Sequence, residues 1–190
     1  MKASASTRKL TTMAMLTAIS IVLVAIIHFP LFPAAPWMEY DPADIPIFIG
    51  TFLFGPLSGL CLTLVVSVIQ GLTVSAASGP IGILMHFCAT GSFVLVAGNL
   101  YKHSHTRKGA VTALVCGIGA WTLAMVLWNL IFTPIFMGAP MEAVLEIMIP
   151  VIIPFNLVKA GINAVVTYLV YKPIARLVRH EHFEAAPQNP

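Results

Sequence analysis

Charge is what this chain has least of. Only 9% of its 190 residues are charged and 58% are hydrophobic, whereas a soluble domain carries about 25% charged residues. A single soluble core of this size cannot hide so much apolar surface. Composition therefore points to an integral membrane protein built as one compact domain. Cysteine is scarce too. Cys61, Cys88 and Cys116 all fall within apolar runs, the count is odd, and no two stand at metal-ligand spacing. They are expected to be small buried hydrophobes rather than a disulfide framework or a metal site. Catalytic signatures are also missing. There is no His-Glu-x-x-His, no Gly-x-Ser-x-Gly and no pair of carboxylates within the apolar runs. Without a P-loop the chain is not expected to hydrolyse ATP itself. Neither an acid-base chain within the apolar runs nor an inverted repeat is evident, which leaves ion-coupled transport little support. No enzyme activity, metal, cofactor or nucleic-acid partner is expected.

The few charges present are sorted. Lys2, Arg8 and Lys9 open the chain, Lys102, Arg107 and Lys108 share one mid-chain loop, and Lys172, Arg176 and Arg179 lie in the tail. Glu39, Asp41, Asp44, Glu142 and Glu146 lie between these clusters. Positive-inside bias places the basic clusters in the cytoplasm and the acidic loops outside. The apolar runs agree with that sorting. Leu10–Phe29, Ile45–Phe54, Leu57–Val74, Ile81–Tyr101, Ala110–Phe132 and Met148–Tyr171 give six spans, and six spans put both termini on one side. The expected fold is all-α, a compact bundle of six transmembrane helices with cytoplasmic termini. It divides into a leader at 1–9, a membrane domain at 10–175 and a cytoplasmic tail at 176–190. The first run is too long for a signal core, so cleavage near Pro33-Ala34-Ala35 is not expected. Its Ala14 and Ala18 form a small-xxx-small pair that admits another helix closely, either within the protein or from a partner.

Proline punctuates the rest. Pro30, Pro33, Pro36 and Pro42 forbid a continuous helix through 30–45. Trp37, Glu39, Tyr40, Asp41 and Asp44 crowd the same stretch, so an ordered outer loop able to act as a lid is expected. The second short helix and the third are expected to be buried, with Gln70 near the outer end of the third. His86, Thr90 and Asn99 mark the fourth span, where a lone His is expected to be a hydrogen-bonded packing residue. The fifth span is expected to end at Thr133-Pro134. Residues 135–147 are expected to be a loop in which Glu142 and Glu146 are solvated. Pro154 is expected to kink or restart the last helix.

One ionisable residue stands apart. Lys159 is the only Lys or Arg inside an apolar run, and a charge there costs about 2.5–3.5 kcal/mol on insertion scales. On a helix, Asn156, Lys159 and Asn163 share one face. Lys159 lies roughly 8 Å below a helix start at Pro154. Together with Asn129 these residues describe a pocket open to the outside, lined by amides and one ammonium beneath an acidic, aromatic loop. Apolar walls with a few fixed polar groups suit a small neutral heterocycle with imide-like edges. Glu39, Asp41 and Asp44 are the candidate charge partners of Lys159.

The chain resembles the riboflavin-specific substrate-binding (S) component of bacterial energy-coupling factor (ECF) transporters over about residues 8–175. The resemblance is carried by Tyr40-Asp41-Pro42-Ala43-Asp44-Ile45-Pro46, Phe54-Gly55-Pro56-Leu57-Ser58-Gly59, Ser78-Gly79-Pro80-Ile81-Gly82, Asn129-Leu130-Ile131 with Thr133-Pro134, and Pro154-Phe155-Asn156-Leu157-Val158-Lys159. It implies a multi-pass protein of the bacterial cell membrane that binds riboflavin as transported ligand. The implied ring edge meets Asn129, Asn156 and Lys159 beneath a loop that closes around Tyr40. Glu39, Asp41, Asn163 and Gln70 complete the candidate ligand-binding set. The implied partners are a transmembrane coupling subunit, on which Ala14 and Ala18 would dock, and two ATP-binding cassette subunits. The alternatives are an S component for another vitamin, thiamine-like or FMN, and a membrane enzyme or scaffold.

Overall fold

The computed structural model describes residues 5–33 and 35–183, with side chains to residue 178. Lys2 of the leader, Ala34 of the cleavage site considered above, the side chain of Arg179 and the tail beyond 183 lie outside these residues. The described chain holds seven α-helical segments: α1 Ala5–Ile26, α2 Asp44–Phe54, α3 Pro56–Leu72, α4 Gly79–His103, α5 Arg107–Met137, α6 Met141–Ile147 and α7 Ile153–Phe183. By length and hydropathy, four stretches among the described residues can cross a membrane: Ala5–Ile26, Ala76–His103, Arg107–Met137 and Met141–Val178. Two apolar helices, Asp44–Phe54 and Pro56–Leu72, are shorter.

The helix ends follow from the sequence. Gly55, at φ 89°, makes the sharp turn between α2 and α3, and Pro56 then starts α3 where its missing N–H costs nothing. The Thr106 hydroxyl caps α5 by accepting from the Gly109 amide at 2.9 Å. Left-handed Gly138 closes α5. That helix runs past the expected stop at Thr133-Pro134 to Met137. A proline in the last turn removes a single ladder bond, and the turn after it is closed by the Gly138 and Ala139 amides on Pro134 O. The expected loop at 135–147 is thus largely helical, although Glu142 and Glu146 on α6 are exposed. Between α6 and α7 the ladder widens into a π turn over Met148–Ile152. Pro150 and Pro154 each withhold a donor here, and the α ladder resumes at Ile153.

α2 is the central helix. It packs on α1, α3, α4 and α7 and buries Asp44 to Phe52 continuously. Phe48 stacks on Phe93 of α4 at 3.7 Å between ring centres and meets Trp121 of α5 edge-on at 6.4 Å. α3, expected to be buried, turns Leu57, Leu64, Val65 and Leu72 outward. Large apolar side chains are exposed along α1, α5 and α7 as well. A surface this apolar is satisfied by lipid rather than water. The cysteines join it: Cys61 and Cys116 are exposed and Cys88 is half-buried. The expectation of buried cysteines fails because, in a membrane bundle, an apolar side chain is as well placed outside as inside.

The stretch after α1 is ordered. β1 (Phe29–Pro30) and β2 (Glu39–Tyr40) form an antiparallel pair with Phe29 opposite Tyr40. Between them Ala35 and Met38 pack against Val144, Met148, Val151, Ile152 and Phe155 in a second apolar core. This core fixes the loop over one end of the bundle.

Candidate functional site

Beneath that loop lies a cavity walled by five helices. The space open to the centres of water-sized spheres is about 170 Å³, whereas one water needs roughly 10–15 Å³. Helical spacing explains its lining. Trp121, Met125, Asn129 and Thr133 recur every fourth residue along α5, and Phe155, Asn156 and Lys159 share a face of α7. α3 contributes Ser67 and Gln70, α4 contributes Met85, His86 and Ala89, and the loop contributes Trp37, Met38, Glu39 and Asp41.

The α5–α7 wall carries partly used amides. Asn156 Oδ1 accepts from Trp121 Nε1 at 2.8 Å, and its Nδ2 donates to Ile152 O at 2.8 Å. Asn129 Nδ2 donates to Met125 O, and its Oδ1 accepts from the Thr133 hydroxyl, both at 2.7 Å. Each amide keeps one N–H and one acceptor position uncommitted. Lys159 Nζ donates to Asp41 Oδ2 at 2.6 Å and to Glu39 O at 3.3 Å, which leaves one of its three N–H bonds. The charge partner among the three candidates is Asp41. Local geometry readies Asp41 for this, since its Oδ1 accepts the Ala43 amide at 3.0 Å in an Asx turn.

Tyr40 and Asn163 do not line the cavity. The Tyr40 hydroxyl donates to Asn163 Oδ1 at 3.1 Å. Burial, then the negative charge of Asp41, raises the Tyr40 phenol above its usual value and keeps it a donor. Asn163 Nδ2 donates to Asp41 O at 3.2 Å and to Asp44 Oδ2 at 3.0 Å. Asn163 does share the helical face of Asn156. It lies roughly 10 Å further along the axis, however, and meets the start of α2 instead of the cavity. Both residues anchor the loop.

Asp44 organises the other side. It opens α2, where free backbone N–H groups favour an anion, and it is fully buried. Its Oδ1 accepts from the Thr90 hydroxyl at 2.7 Å and lies 3.1 Å from His86 Nε2. His86 Nδ1 in turn lies 3.2 Å from Ser67 Oγ. His86 is hydrogen-bonded as expected, but it also lines the cavity. Sequence reasoning did not assign Trp121, Ser67 or His86 to the site. The four-residue stripe leading to Asn129 is the signal that would have found Trp121. Ala14 and Ala18 are exposed on α1 among the described residues, opposite its buried stripe of Leu16, Ser20 and Val24.

Residues 8–171 match the family described as "ECF transporter, substrate-specific component". The chain belongs to this family. Such a chain is the substrate-binding component of a transporter in the bacterial cell membrane, not an enzyme, and it works with an ECF module. The S component is 30% identical to "Riboflavin transporter RibU" of Staphylococcus aureus (strain TCH60), covering 90% of this chain and 93% of that relative. It is 29% identical to "Riboflavin transporter FmnP" of Bacillus subtilis (strain 168), covering 92% and 97%. A solved structure described as "Structure and mechanism of the S component of a bacterial ECF transporter" superposes with a TM-score of 0.76 at 30% identity, covering 90% of this chain and 96% of that one.

Proposed function

We propose that this S component binds riboflavin in the cavity beneath the loop and delivers it through an ATP-driven ECF module. The observation that carries this reading is the α5–α7 wall. Asn129 and Asn156 each retain one donor and one acceptor, and Lys159 retains one N–H beside them. An imide edge, with an N–H between two carbonyls, is complementary to such a wall. Trp121, Met125 and Phe155 supply apolar surface for a flat ring. The names of the relatives support the same ligand.

In this reading the chain crosses the membrane six times with α2 and α3 as two of the spans. The three basic clusters and both termini are cytoplasmic, and the loop faces outward. Trp37, Met38 and Glu39 roof the bound ligand. The module comprises a transmembrane coupling subunit, which meets the exposed Ala14 and Ala18, and two ATP-binding cassette subunits.

The test is an absorbance spectrum of the protein purified in detergent from cells grown in rich medium. Near-equimolar flavin bands in the near-ultraviolet and blue are expected. A colourless protein that also fails to quench added riboflavin fluorescence would remove riboflavin, and a competition panel of other vitamins would identify the ligand.

A further inference from the structure

The α3–α4 side of the cavity has a different chemistry from the α5–α7 wall. Gln70 is 8% exposed, and its Oε1 is one of two buried side-chain polar atoms without a partner among the described residues. The other, Thr122 Oγ1, does not line the cavity; Gln70 does. Its Nε2 donates to Ser75 Oγ at 3.4 Å, so the amide's donor side already has a partner. A buried acceptor without a donor is costly, and a ligand hydroxyl that reached Gln70 at the cavity wall would satisfy it.

Ser67 stands one turn earlier on the same face of α3 and lines the same space. Its hydrogen is directed by a relay. Asp44 Oδ1 already accepts from Thr90, and as a carboxylate it can only accept. His86 Nε2, 3.1 Å from that oxygen, therefore carries the ring hydrogen in the neutral imidazole. His86 Nδ1 is then bare and takes the hydroxyl hydrogen of Ser67 across 3.2 Å. Ser67 Oγ is left with lone pairs and no hydrogen to give.

We infer that Ser67 and Gln70, oriented by His86 and Asp44, form an acceptor pole that binds the hydroxylated chain of the ligand. The inference rests on the flavin reading above and extends it to the part of the molecule beyond the ring. Two acceptors above a buried carboxylate recruit O–H donors and repel a phosphate dianion. The two walls thus sort the ligand, with the amide and ammonium side taking the ring edge and the α3–α4 side taking the hydroxyls. His86 and Asp44 are positioning residues and Ser67 and Gln70 are the contacts.

The test is fluorescence titration of the detergent-purified protein with riboflavin and with lumiflavin, which keeps the ring and lacks the hydroxylated chain. Ser67→Ala and Gln70→Leu are each expected to weaken riboflavin binding about five- to thirtyfold while lumiflavin binding stays within twofold. His86→Leu is expected to show the same selective loss. Retained lumiflavin affinity reports that each variant is folded. Equal losses for both ligands, or no loss for riboflavin, would overturn the acceptor pole and leave the flavin reading intact. A wild-type protein that binds neither ligand would overturn both.

Discussion

Replacing Lys159 by Met removes the ammonium that lies 2.6 Å from Asp41 Oδ2. The side chains of the pair are only 10% and 4% exposed, so water cannot stand in for the lost partner. At this separation and an effective dielectric of about 20, the attraction is roughly 6 kcal/mol. Desolvation of both groups consumes much of it, and breaking a buried pair from one side costs about 3–5 kcal/mol. The lower end of that range applies to Lys159→Met, because Asp41 keeps the Ala43 amide on its other oxygen. Asp41→Asn removes the negative charge and leaves one amide oxygen for which the Ala43 amide and the ammonium compete, and it is expected to cost as much. The double variant carries neither charge and is expected to recover most of the loss, giving a coupling of about 2–4 kcal/mol. The assay is thermal unfolding of all four proteins in one detergent, without ligand. Single variants that each cost under about 1 kcal/mol and add in the double would refute the reasoning, because the pair would then behave as a solvated one.

Two further outcomes are expected. Asn156→Ala removes a cavity amide and also strips Trp121 Nε1 of its 2.8 Å acceptor. Riboflavin affinity should fall by about 1–3 kcal/mol in equilibrium titration, and normal affinity would detach this residue from the site. Ala14→Trp places bulk on an exposed face of α1, so riboflavin binding by the isolated protein should persist while ATP-dependent uptake in cells is lost; loss of binding instead would make Ala14 a folding residue.

Apart from α6 and the end of α5, which lie in the stretch read as a loop, the helices were legible because apolar runs and proline or glycine breaks are local signals. Lys159 was legible because it is scarce: one cation in an apolar run has few explanations. What helical periodicity could not supply was depth. Asn163 repeats the azimuth of Asn156 seven residues on, and only the position of α2 along that axis turns it from a cavity residue into a loop anchor. Nor could spacing supply partners brought together by the fold. Lys159 and Asp41 are 118 residues apart and His86 and Asp44 are 42 apart, so any of three carboxylates was an equal candidate for the lysine. The choice was made by the Asx turn that aims Asp41 at α7, and by the start of α2, which delivers Asp44 to α4 instead. The two carboxylates therefore divide the polar interior between them. Asp41 is spent on the lysine wall and the loop that covers it. Asp44 is spent on the loop anchor Asn163 and on the histidine that sets the hydrogen of Ser67. Because Asn163 donates to the Asp41 main-chain carbonyl and to the Asp44 carboxylate, one amide ties the loop that covers the lysine wall to the start of α2.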